Sequence, residues 1–593
     1  MRRDHSIRSA MKPFMTERLV PILSASLTLA LAGLTACGGG GDSGTSATPP
    51  ASPASLTLTG TAATGAAIGG APVTLQCATG VGSGTTLPDG TFSISIAGGV
   101  LPCAAEVVTA GGTKLHSFAS GSGTATVLNI TPITELVFAS LVGLDPATFY
   151  ASFSGSSSEL ITPTSAAAAQ STVIGILKAA GLDLSSLGDL LSAALKASTP
   201  SASGDAYDQA LDRFGEALAA SGTTLGDFTT SIIASTNASP GTSDVASLPP
   251  ALLLQPAAAR CSALRSATYR VLTPLSGTTL SAQFGLTTID AKTLAIVRPD
   301  ASTGTLVATG PCRFTDTGTN YSADLVVSQA GVLLGRYTTN GGTSYHNLFG
   351  FPEQAHAIAE LAGQWNVFGM NPAGSTHVGV AGAAVLSAAG QMSGVINCEN
   401  DSTWAVDTCA SVPDGVTGLL GPLVVNGAGG FDLPDAATGL VKTRVFAYAN
   451  GNGTLMIAGI SNVGFSVWSK PVTVALPTVG SNTTSWNLDV NPDLSSNSAT
   501  YETTNLVDSV DATSGTWIRT HGTIGQSVTR VETVFANKPR NGFIFRPAGT
   551  VTASDGNTLS VIREFTLLRV TGMGMSIGTL PALKLFEFSA REP

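Results

Sequence analysis

Cysteine is the residue type in this 593-residue chain whose spacing points most directly to chemistry. Cys37 stands apart because it follows an apolar run that ends in Leu34-Thr35-Ala36 and precedes a tract of glycines. A thiol can be acylated, can form a disulfide or can bind a metal ion. The other six cysteines are Cys77, Cys103, Cys261, Cys312, Cys398 and Cys409.

The six downstream cysteines favour disulfides over a metal site. An even number of cysteines in an oxidising compartment is typical of a disulfide framework. No Cys-x-x-Cys spacing of a metal site occurs. Sequence alone permits many connectivities, but pairs of neighbours would keep each bridge within one structural unit. The predicted pairs are Cys77–Cys103, Cys261–Cys312 and Cys398–Cys409.

The segment before Cys37 has the parts of a secretory signal. A basic region precedes an almost wholly apolar stretch over 19–32, which is short for a transmembrane helix. Small residues then lead to the cysteine. An ordinary signal peptide that happens to contain a cysteine is the alternative interpretation. The translation start stays open between Met1, Met11 and Met15.

This segment resembles the signal peptides of bacterial lipoproteins, which are cleaved before a cysteine that is then lipidated. The resemblance implies a signal peptide over 1–36, a lipid on Cys37 and a flexible linker over 37–55, which is rich in Gly, Ser and Pro. Several acyl chains anchor a protein far more firmly than one. Because Gly38 stands where Asp would favour the inner membrane, the resemblance implies an outer-membrane location, on the periplasmic face or the cell surface.

The composition argues against some classes of function. Charged residues make up 11% of the chain, and the net charge is −10, whereas typical globular proteins are about 25% charged. The sequence contains no basic patch that could neutralise the phosphates of a nucleic acid, so a nucleic-acid partner is not expected. Beyond residue 32 no apolar run is long enough to span a membrane, so lipid is the only anchor that the sequence predicts.

An antiparallel β-sandwich is predicted over 56–129. Apolar and polar residues alternate there, as in Phe92, Ile94 and Ile96. The segments GGAPVTL (69–75) and LPDGTFSI (87–94) resemble the carboxypeptidase regulatory-like, or transthyretin-like, domain. The resemblance implies a mostly non-catalytic spacer, stabiliser or binding module, and it brings no peptidase metal ligands.

A helical region is predicted over 130–233, followed by a linker over 234–254. Thr131-Pro132 and Thr162-Pro163 are helix start signals, with Thr as the N-cap and Pro at the first helical position. A Tyr/Phe stripe at helical spacing near 206–220 is interpreted as core, although it could also line a ligand groove.

The C-terminal half is predicted to form three β-units, at 255–358, 359–474 and 475–593. Strand-like runs alternate there with Gly, Asn and Pro turns. Gly363-Gln364-Trp365 resembles the opening of a lipocalin barrel, where Gly-x-Trp begins the first strand. The expected fold class is therefore multidomain and mainly β. It has an N-terminal sandwich, a small helical middle and a β-rich C-terminal half of barrels or sandwiches.

Two groups of residues could hold a metal, but each has a simpler explanation. Helical spacing could place Glu353, His356 and Glu360 on one face, although a solvated segment explains these residues as well. A partial match to the pattern of a calcium-binding loop occurs at Asp489, Asn491 and Asp493. The Gly and the distal Glu of such a loop are missing.

Candidates for acid–base chemistry or sugar binding are present only as residue types. Glycoside hydrolysis needs two carboxylates about 5–10 Å apart, and turn chemistry explains aspartates near Gly and Pro equally well. The acidic pairs are Asp432/Asp435 and Asp508/Asp511. Trp404, between Cys398 and Cys409, could stack on a sugar, but a core position is the alternative. The sequence therefore predicts no catalytic residue, no metal and no cofactor.

The leading hypothesis is a non-catalytic cell-envelope lipoprotein that acts as a binding or structural module at the outer membrane. Its partner, protein or glycan, is not specified by the sequence. One alternative is an envelope hydrolase acting on a polymer or glycan. The other is a carrier of small apolar ligands, if the C-terminal half holds lipocalin-like barrels.

Overall fold

The computed structural model describes residues 54–238, 246–274, 283–318, 320–339, 345–373, 376–398, 410–411, 420–461, 464–490, 500–561, 564–567, 570, 573–580 and 585–591. The predicted signal peptide, Cys37, Trp404, Cys409, Asn491 and Asp493 lie outside these residues. The described chain is mainly β, which confirms the predicted fold class.

Two sheets face each other at the N-terminus and enclose an apolar core. The strands are β1 (Ser55–Thr61), β2 (Pro72–Thr79), β3 (Val81–Thr85), β4 (Thr91–Ala97), β5 (Val100–Val108), β6 (Lys114–Ala119) and β7 (Ala125–Val127). One sheet has the order β4-β1-β7 and the other β3-β2-β5-β6. The alternating Phe92, Ile94 and Ile96 of β4 are buried in the core between them. These strands therefore form the predicted sandwich, with one departure from the predicted antiparallel arrangement, because β7 pairs with β1 in parallel.

Two predicted disulfides are present. Cys77–Cys103 joins the neighbouring strands β2 and β5, and Cys261–Cys312 closes a loop of 51 residues in the C-terminal half. Such bridges stabilise a fold mainly by restricting the unfolded chain. Cys398 is also disulfide-bonded.

Helices follow the sandwich. They are α1 (Pro132–Val142), α2 (Pro146–Ala151), α3 (Gly155–Ser158), α4 (Pro163–Ala179), α5 (Ala206–Ser221), α6 (Leu225–Asn237) and α7 (Pro250–Leu253), with a 3₁₀ turn at Ser185–Leu187. The predicted start signals are in place, because Thr131 and Thr162 cap α1 and α4 with Pro at the first helical position. Helices α6 and α7 extend into both ends of the predicted linker over 234–254.

A buried ionic contact attaches the sandwich to α1. The His116 ring lies between Glu135 (Nδ1–Oε2, 3.0 Å) and Glu106 (Nε2–Oε2, 3.1 Å). Burial opposes protonation of this ring, but the two carboxylates outweigh burial and raise the pKa of His116. Glu135 also accepts the backbone N–H of His116, so its removal would leave two donors unpaired.

Two nine-stranded antiparallel sheets come next. The first contains β10 (Ala267–Leu272), β11 (Phe284–Asp290), β12 (Ala295–Val297), β13 (Thr303–Thr305), β14 (Val307–Gly310), β15 (Arg313–Gly318), β16 (Tyr321–Val327), β17 (Leu333–Thr339) and β18 (His346–Pro352). It is preceded by the short pair β8 (Ala257–Ala258) and β9 (Cys261–Arg265). The first strand pairs with the last, so the sheet curls, and β13 and β14 are its two edges.

The second sheet repeats this plan. Its strands are β19 (Gly363–Ala373), β20 (Thr376–Leu386), β21 (Met392–Asn397), β22 (Ala410–Ser411), β23 (Val424–Val425), β24 (Phe431–Pro434), β25 (Val441–Ala449), β26 (Leu455–Ser461) and β27 (Phe465–Ser469). Strand β19 pairs with β27. A 3₁₀ turn at Ile358–Leu361 precedes β19, and the buried Trp365 indole donates to the Leu361 carbonyl at 2.8 Å.

The last strands form a closed eight-stranded barrel. Its strands are β28 (Asn482–Val490), β29 (Thr500–Asp511), β30 (Thr516–Thr523), β31 (Thr529–Ala536), β32 (Phe543–Arg546), β35 (Glu564–Leu567), β36 (Met575–Leu580) and β37 (Leu585–Arg591). A separate hairpin is made by β33 (Gly549–Thr552) and β34 (Thr558–Val561). Closure through β28 and β37 leaves the ring no free edge.

The two nine-stranded sheets and the barrel share one hydrophobic core. Phe588 of β37 stacks on Phe349 of β18 (5.6 Å between ring centroids) and on Phe465 of β27 (5.8 Å). Each sheet uses strands from only one of the predicted β-units, but the common core joins them. The boundaries 255–358, 359–474 and 475–593 therefore stay a prediction. Within the described residues, no helix has the length and apolar character needed to cross a membrane.

Candidate functional site

The C-terminal barrel has an apolar outer face where it meets the two nine-stranded sheets and many polar side chains on its inner face. Side chains alternate between the two faces of a strand. In β28, Ser485 and Asn487 line an internal cavity, while Trp486 and Leu488 point outwards into the shared core. The outer wall packs against the two nine-stranded sheets and must be apolar there. The alternation then places polar residues on the inner wall.

The cavity, which barrel strands and the segment 472–478 line together, has a volume of about 540 Å³. Ligand pockets for small molecules are commonly about 300–1,000 Å³. Its apolar wall includes Val507, Trp517, Val534 and Ile544, which pack together and against the segment 472–478. The cavity therefore combines an apolar wall with a polar remainder.

Three arginines inside the barrel converge on one buried carboxylate. Glu532, whose side chain is 1% exposed, accepts from Arg519 (Nη2–Oε2, 2.8 Å), from Arg530 (Nε–Oε1, 2.6 Å) and from Arg546. Arg546 continues the network to Glu564 at 3.1 Å. Although burial opposes ionisation, the arginines outweigh it and hold the pKa of Glu532 well below its usual range. These three arginines and two glutamates therefore form one connected internal network with one surplus positive charge.

Two further acidic side chains inside the barrel lie beside the hydroxyl of one tyrosine. The Tyr501 hydroxyl lies 2.5 Å from Glu587 Oε2 and 3.1 Å from Asp489 Oδ1. Burial, then the nearby Glu564 and Asp489 carboxylates, raise the pKa of Glu587 to about 8. Burial also raises the pKa of Asp489 to about 6. The hydroxyl can donate to only one of these acids at a time, so the pair is suited to hold one proton between them.

His521 contributes a neutral acceptor to the cavity. Burial and the neighbouring Arg519 and Arg530 lower the pKa of His521 to about 3, so the ring is uncharged near neutral pH. Its Nδ1 lies 2.9 Å from Asn505 Oδ1 and is assigned as the donor in that bond. The Nε2 atom is then the acceptor of the ring.

Gly574-Met575-Ser576-Ile577-Gly578 matches the Gly-x-Ser-x-Gly pattern of α/β-hydrolases, a match that the residue-type reasoning above missed. The nucleophile of that class needs a sharp strand-to-helix turn. Here the serine lies in the antiparallel strand β36, and it lines the cavity. The local geometry is therefore that of a barrel wall and not of a nucleophile elbow.

Replacing Glu587 with glutamine should flatten the dependence of stability on pH. Because the folded-state pKa of Glu587 is raised from its reference value of 4.5, its contribution is present below that value and is lost as pH rises through about 8. We expect Glu587→Gln to be more stable than wild type at pH 9 by about 1–3 kcal/mol. Denaturant unfolding at pH 5, 7 and 9 measures this difference. Parallel profiles for the two proteins would contradict it.

The acidic residues singled out in the sequence separate into different roles. Asp432 pairs with Arg444, while Asp435 and Asp511 accept hydrogen bonds within turns. Asp508 accepts from Thr520 at 2.8 Å. These aspartates are explained by local structure and are not brought together as acid–base pairs. Of the calcium-loop fragment, Asp489 is the described member, and it faces Tyr501.

The predicted metal candidates also have local partners. Arg270 donates to Glu353, and His356 Nδ1 lies 2.8 Å from Glu360. Across the described ranges, no group of three or more His, Cys, Asp or Glu side chains is arranged to hold a metal ion.

Polar and apolar residues alternate with a two-residue period along barrel strands that the sequence analysis did not single out. Trp517, Arg519 and His521 alternate along β30, and Arg530, Glu532 and Val534 along β31. Charged residues on one strand face, repeated on neighbouring strands, are the signal that could have identified a polar barrel interior. The pairing of Arg519 with Glu532 in the observed register brings these two faces together.

Comparison with known proteins identifies no family. No protein-family model and no curated protein matches the chain. Among solved structures, a protein of unknown function from the DUF3598 family of Nostoc punctiforme is 11% identical with a TM-score of 0.14. The alignment covers 40% of this chain and all of that one. Transferrin binding protein B from Neisseria meningitidis is 9% identical with a TM-score of 0.13, and that from Haemophilus parasuis is 8% identical with 0.12.

Both alignments with transferrin binding protein B cover 52% of this chain, and they span 62% and 64% of the two relatives. The chain therefore spans less than two thirds of either protein. Similarities this low carry no argument about function.

Proposed function

We propose that this chain is a binding protein of the cell envelope whose C-terminal barrel holds a small polar ligand. The observation that carries the proposal is the cavity of about 540 Å³ on the inner wall of the closed barrel. A barrel with a purely structural role would fill its interior with side chains. This interior keeps a space of ligand size beside charged and hydroxyl-bearing groups.

The polarity of the wall argues against a carrier of apolar ligands. Arg519 and Arg530 line the cavity and are 20% and 30% exposed, and an apolar ligand would strip water from them without offering hydrogen bonds. A polar ligand can replace that water. The chemistry of the wall therefore favours a protein that binds a polar ligand over a carrier of apolar ligands.

Binding should be abolished by filling the cavity from the inner wall. Asn505 lines the cavity, while its neighbour Leu506 is 39% exposed on the other face of β29. We expect native mass spectrometry of the full chain, purified from its source, to detect a bound small molecule. Asn505→Trp should lose this ligand, and the matched control Leu506→Trp should keep it. An empty wild-type protein, or loss in both variants, would count against the proposal.

A hydrolase is the second candidate, and one observation favours it. Asp489 and Glu587 both contact the Tyr501 hydroxyl, and burial raises the pKa of each acid. Glycosidases need a pair of acids of which one is protonated and the other ionised, and this pair can supply both. Assay of the full chain with chromogenic glycosides tests this role. Turnover that Glu587→Gln abolishes would establish it, while ligand binding without turnover favours the binding protein.

We also propose that Cys37 carries lipid and tethers this binding protein to the outer membrane, with the transthyretin-like sandwich as a spacer. Support comes from the lipoprotein-type sequence around the cysteine and the Gly-, Ser- and Pro-rich segment after it. We expect Cys37→Ser to release a folded protein into the soluble fraction. Immunoblots of membrane and soluble fractions measure this, and a variant that stays with the membrane would refute the tether.

A further inference from the structure

The charges of the barrel interior restrict what the cavity can hold. Arg519, Arg530 and Arg546 each contact Glu532, and Arg546 also contacts Glu564. These two glutamates and the single negative charge of the Asp489–Glu587 pair offset the three arginines, so an anionic ligand would add an uncompensated charge or displace one of the carboxylates. Breaking a buried ion pair is strongly unfavourable, because it leaves one charge uncompensated. The network therefore disfavours phosphate, sulfate or carboxylate ligands at its centre.

Arg591 is the cavity-lining arginine outside this network. It is exposed to solvent, at the end of β37 where it pairs with Ser485. Solvent screens a charge in this position, so it adds little to selectivity for an anion.

The other acidic side chains of the barrel interior give little support for a cationic ligand. Asp489 and Glu587 both approach the Tyr501 hydroxyl, and burial favours the neutral form of each acid. One shared proton leaves this pair with a single negative charge. The three arginines of the network exceed its two glutamates by one positive charge and can offset that charge without a bound cation.

Uncharged polar groups cover much of the remaining wall. Ser485, Thr503, Asn505, Thr566 and Ser589 line the cavity, and Asn487 links two of them by hydrogen bonds. Ser589 donates to Asn487 Oδ1 at 2.6 Å, and Asn487 Nδ2 donates to Thr503 Oγ1 at 3.0 Å. Hydroxyls rotate and can both donate and accept, so such a wall suits a ligand that is itself rich in hydroxyls.

The apolar wall supplies the complementary surface. Trp517, Val534 and Ile544 pack at the cavity beside the segment 472–478. A sugar ring presents hydroxyls at its edge and C–H groups on its faces. It can therefore satisfy the hydroxyl-lined wall and cover the apolar wall at the same time, which neither an inorganic ion nor an alkyl chain can do.

Resting on the proposed function, we infer that the ligand of the barrel is a neutral carbohydrate of one or two sugar rings, held between the hydroxyl-lined wall and the Trp517 wall. Its hydroxyls are recognised by Thr503, Asn505 and the His521 acceptor. The arginine–glutamate network sets the shape of the site and, together with the Asp489–Glu587 pair, leaves no surplus charge to bind a charged analogue.

Saturation-transfer NMR and calorimetry on the full chain test the ligand class. The panel contains neutral mono- and disaccharides, their phosphorylated or sulfated counterparts, linear diamines and a medium-chain fatty acid. We expect a neutral sugar to bind at least tenfold more tightly than its phosphorylated form. Thr503→Val should weaken this binding about tenfold, whereas Thr504→Val, outside the cavity on the same strand, should leave it unchanged.

The possible outcomes separate this inference from the proposed function. Binding of a diamine, a phosphorylated sugar or a fatty acid in preference to neutral sugars, lost in Asn505→Trp, would overturn the carbohydrate assignment and keep the cavity as a binding site. No binding by any class, together with an empty protein in native mass spectrometry, would overturn both. Equal loss in Thr503→Val and Thr504→Val would also overturn the assignment, because the effect would then come from the strand and not from the cavity.

Discussion

Glu532→Gln is expected to lower the free energy of unfolding by about 3–5 kcal/mol. The substitution keeps the size of the side chain but removes the charge that Arg519, Arg530 and Arg546 share. Arg546 is 6% exposed, so water cannot replace the lost partner there. Three positive charges would then face one another around a neutral amide. Urea unfolding followed by circular dichroism measures the loss.

The pH dependence gives a second test of the same carboxylate. Because the folded-state pKa of Glu532 lies below its reference value of 4.5, its stabilising contribution is present above that value and is lost as pH falls through the folded-state pKa. The gap between wild type and Glu532→Gln should therefore be widest near neutral pH and should narrow in acid. A gap that widens in acid would contradict this assignment.

Glu502→Gln is the matched control. It is the same substitution on the outer wall of the same barrel, where Glu502 pairs with Arg313 and both side chains are partly exposed. Partly exposed ion pairs contribute about 0–1 kcal/mol. If Glu502→Gln costs as much as Glu532→Gln, the interior network has no special role in stability.

Phe588→Ala is expected to cost about 3–5 kcal/mol and to loosen all three C-terminal sheets. The ring is 1% exposed and stacks on Phe349 and Phe465, which belong to the two nine-stranded sheets. Removing it leaves a cavity where three sheets meet. Hydrogen exchange resolved by peptide should show faster exchange in β18, β27 and β37 together.

Ile518→Ala provides the comparison for this effect. Ile518 lies on β30 of the same barrel but is 37% exposed, and surface truncations usually change stability by about 0.5 kcal/mol or less. Faster exchange confined to β37 in Phe588→Ala would mean that the sheets are stabilised separately. That result would support three independent domains instead of one shared core.

The N-terminal half shows what sequence patterns can predict. Phe92, Ile94 and Ile96 alternate with polar residues, and such alternation specifies a strand with one buried face. Thr131-Pro132 and Thr162-Pro163 specify helix starts through local geometry alone. Both signals act within a few residues, so the sequence is sufficient to place them.

The barrel shows where such prediction stops. Trp486 and Leu488 alternate with Ser485 and Asn487, which identifies a strand but not the direction in which each face points. An isolated barrel would bury the apolar face inside. Here that face packs against two other sheets, so the polar face turns inwards. The cavity follows from long-range packing, and Glu587, Tyr501 and Glu532 converge only after the ring has closed.

Strand β37 has a consequence for biosynthesis. It completes the barrel by pairing with both β28 and β36, and it delivers Phe588 to the core shared with the two earlier sheets. A chain made from its N-terminus can finish the sandwich and the helices early, whereas the faces of both sheets that belong to the shared core are not fully covered until residues 585–591 arrive. Uncovered sheet faces of this kind are prone to aggregate. Folding without aggregation should therefore depend on holding chaperones during one interval, between the synthesis of β10 and that of β37.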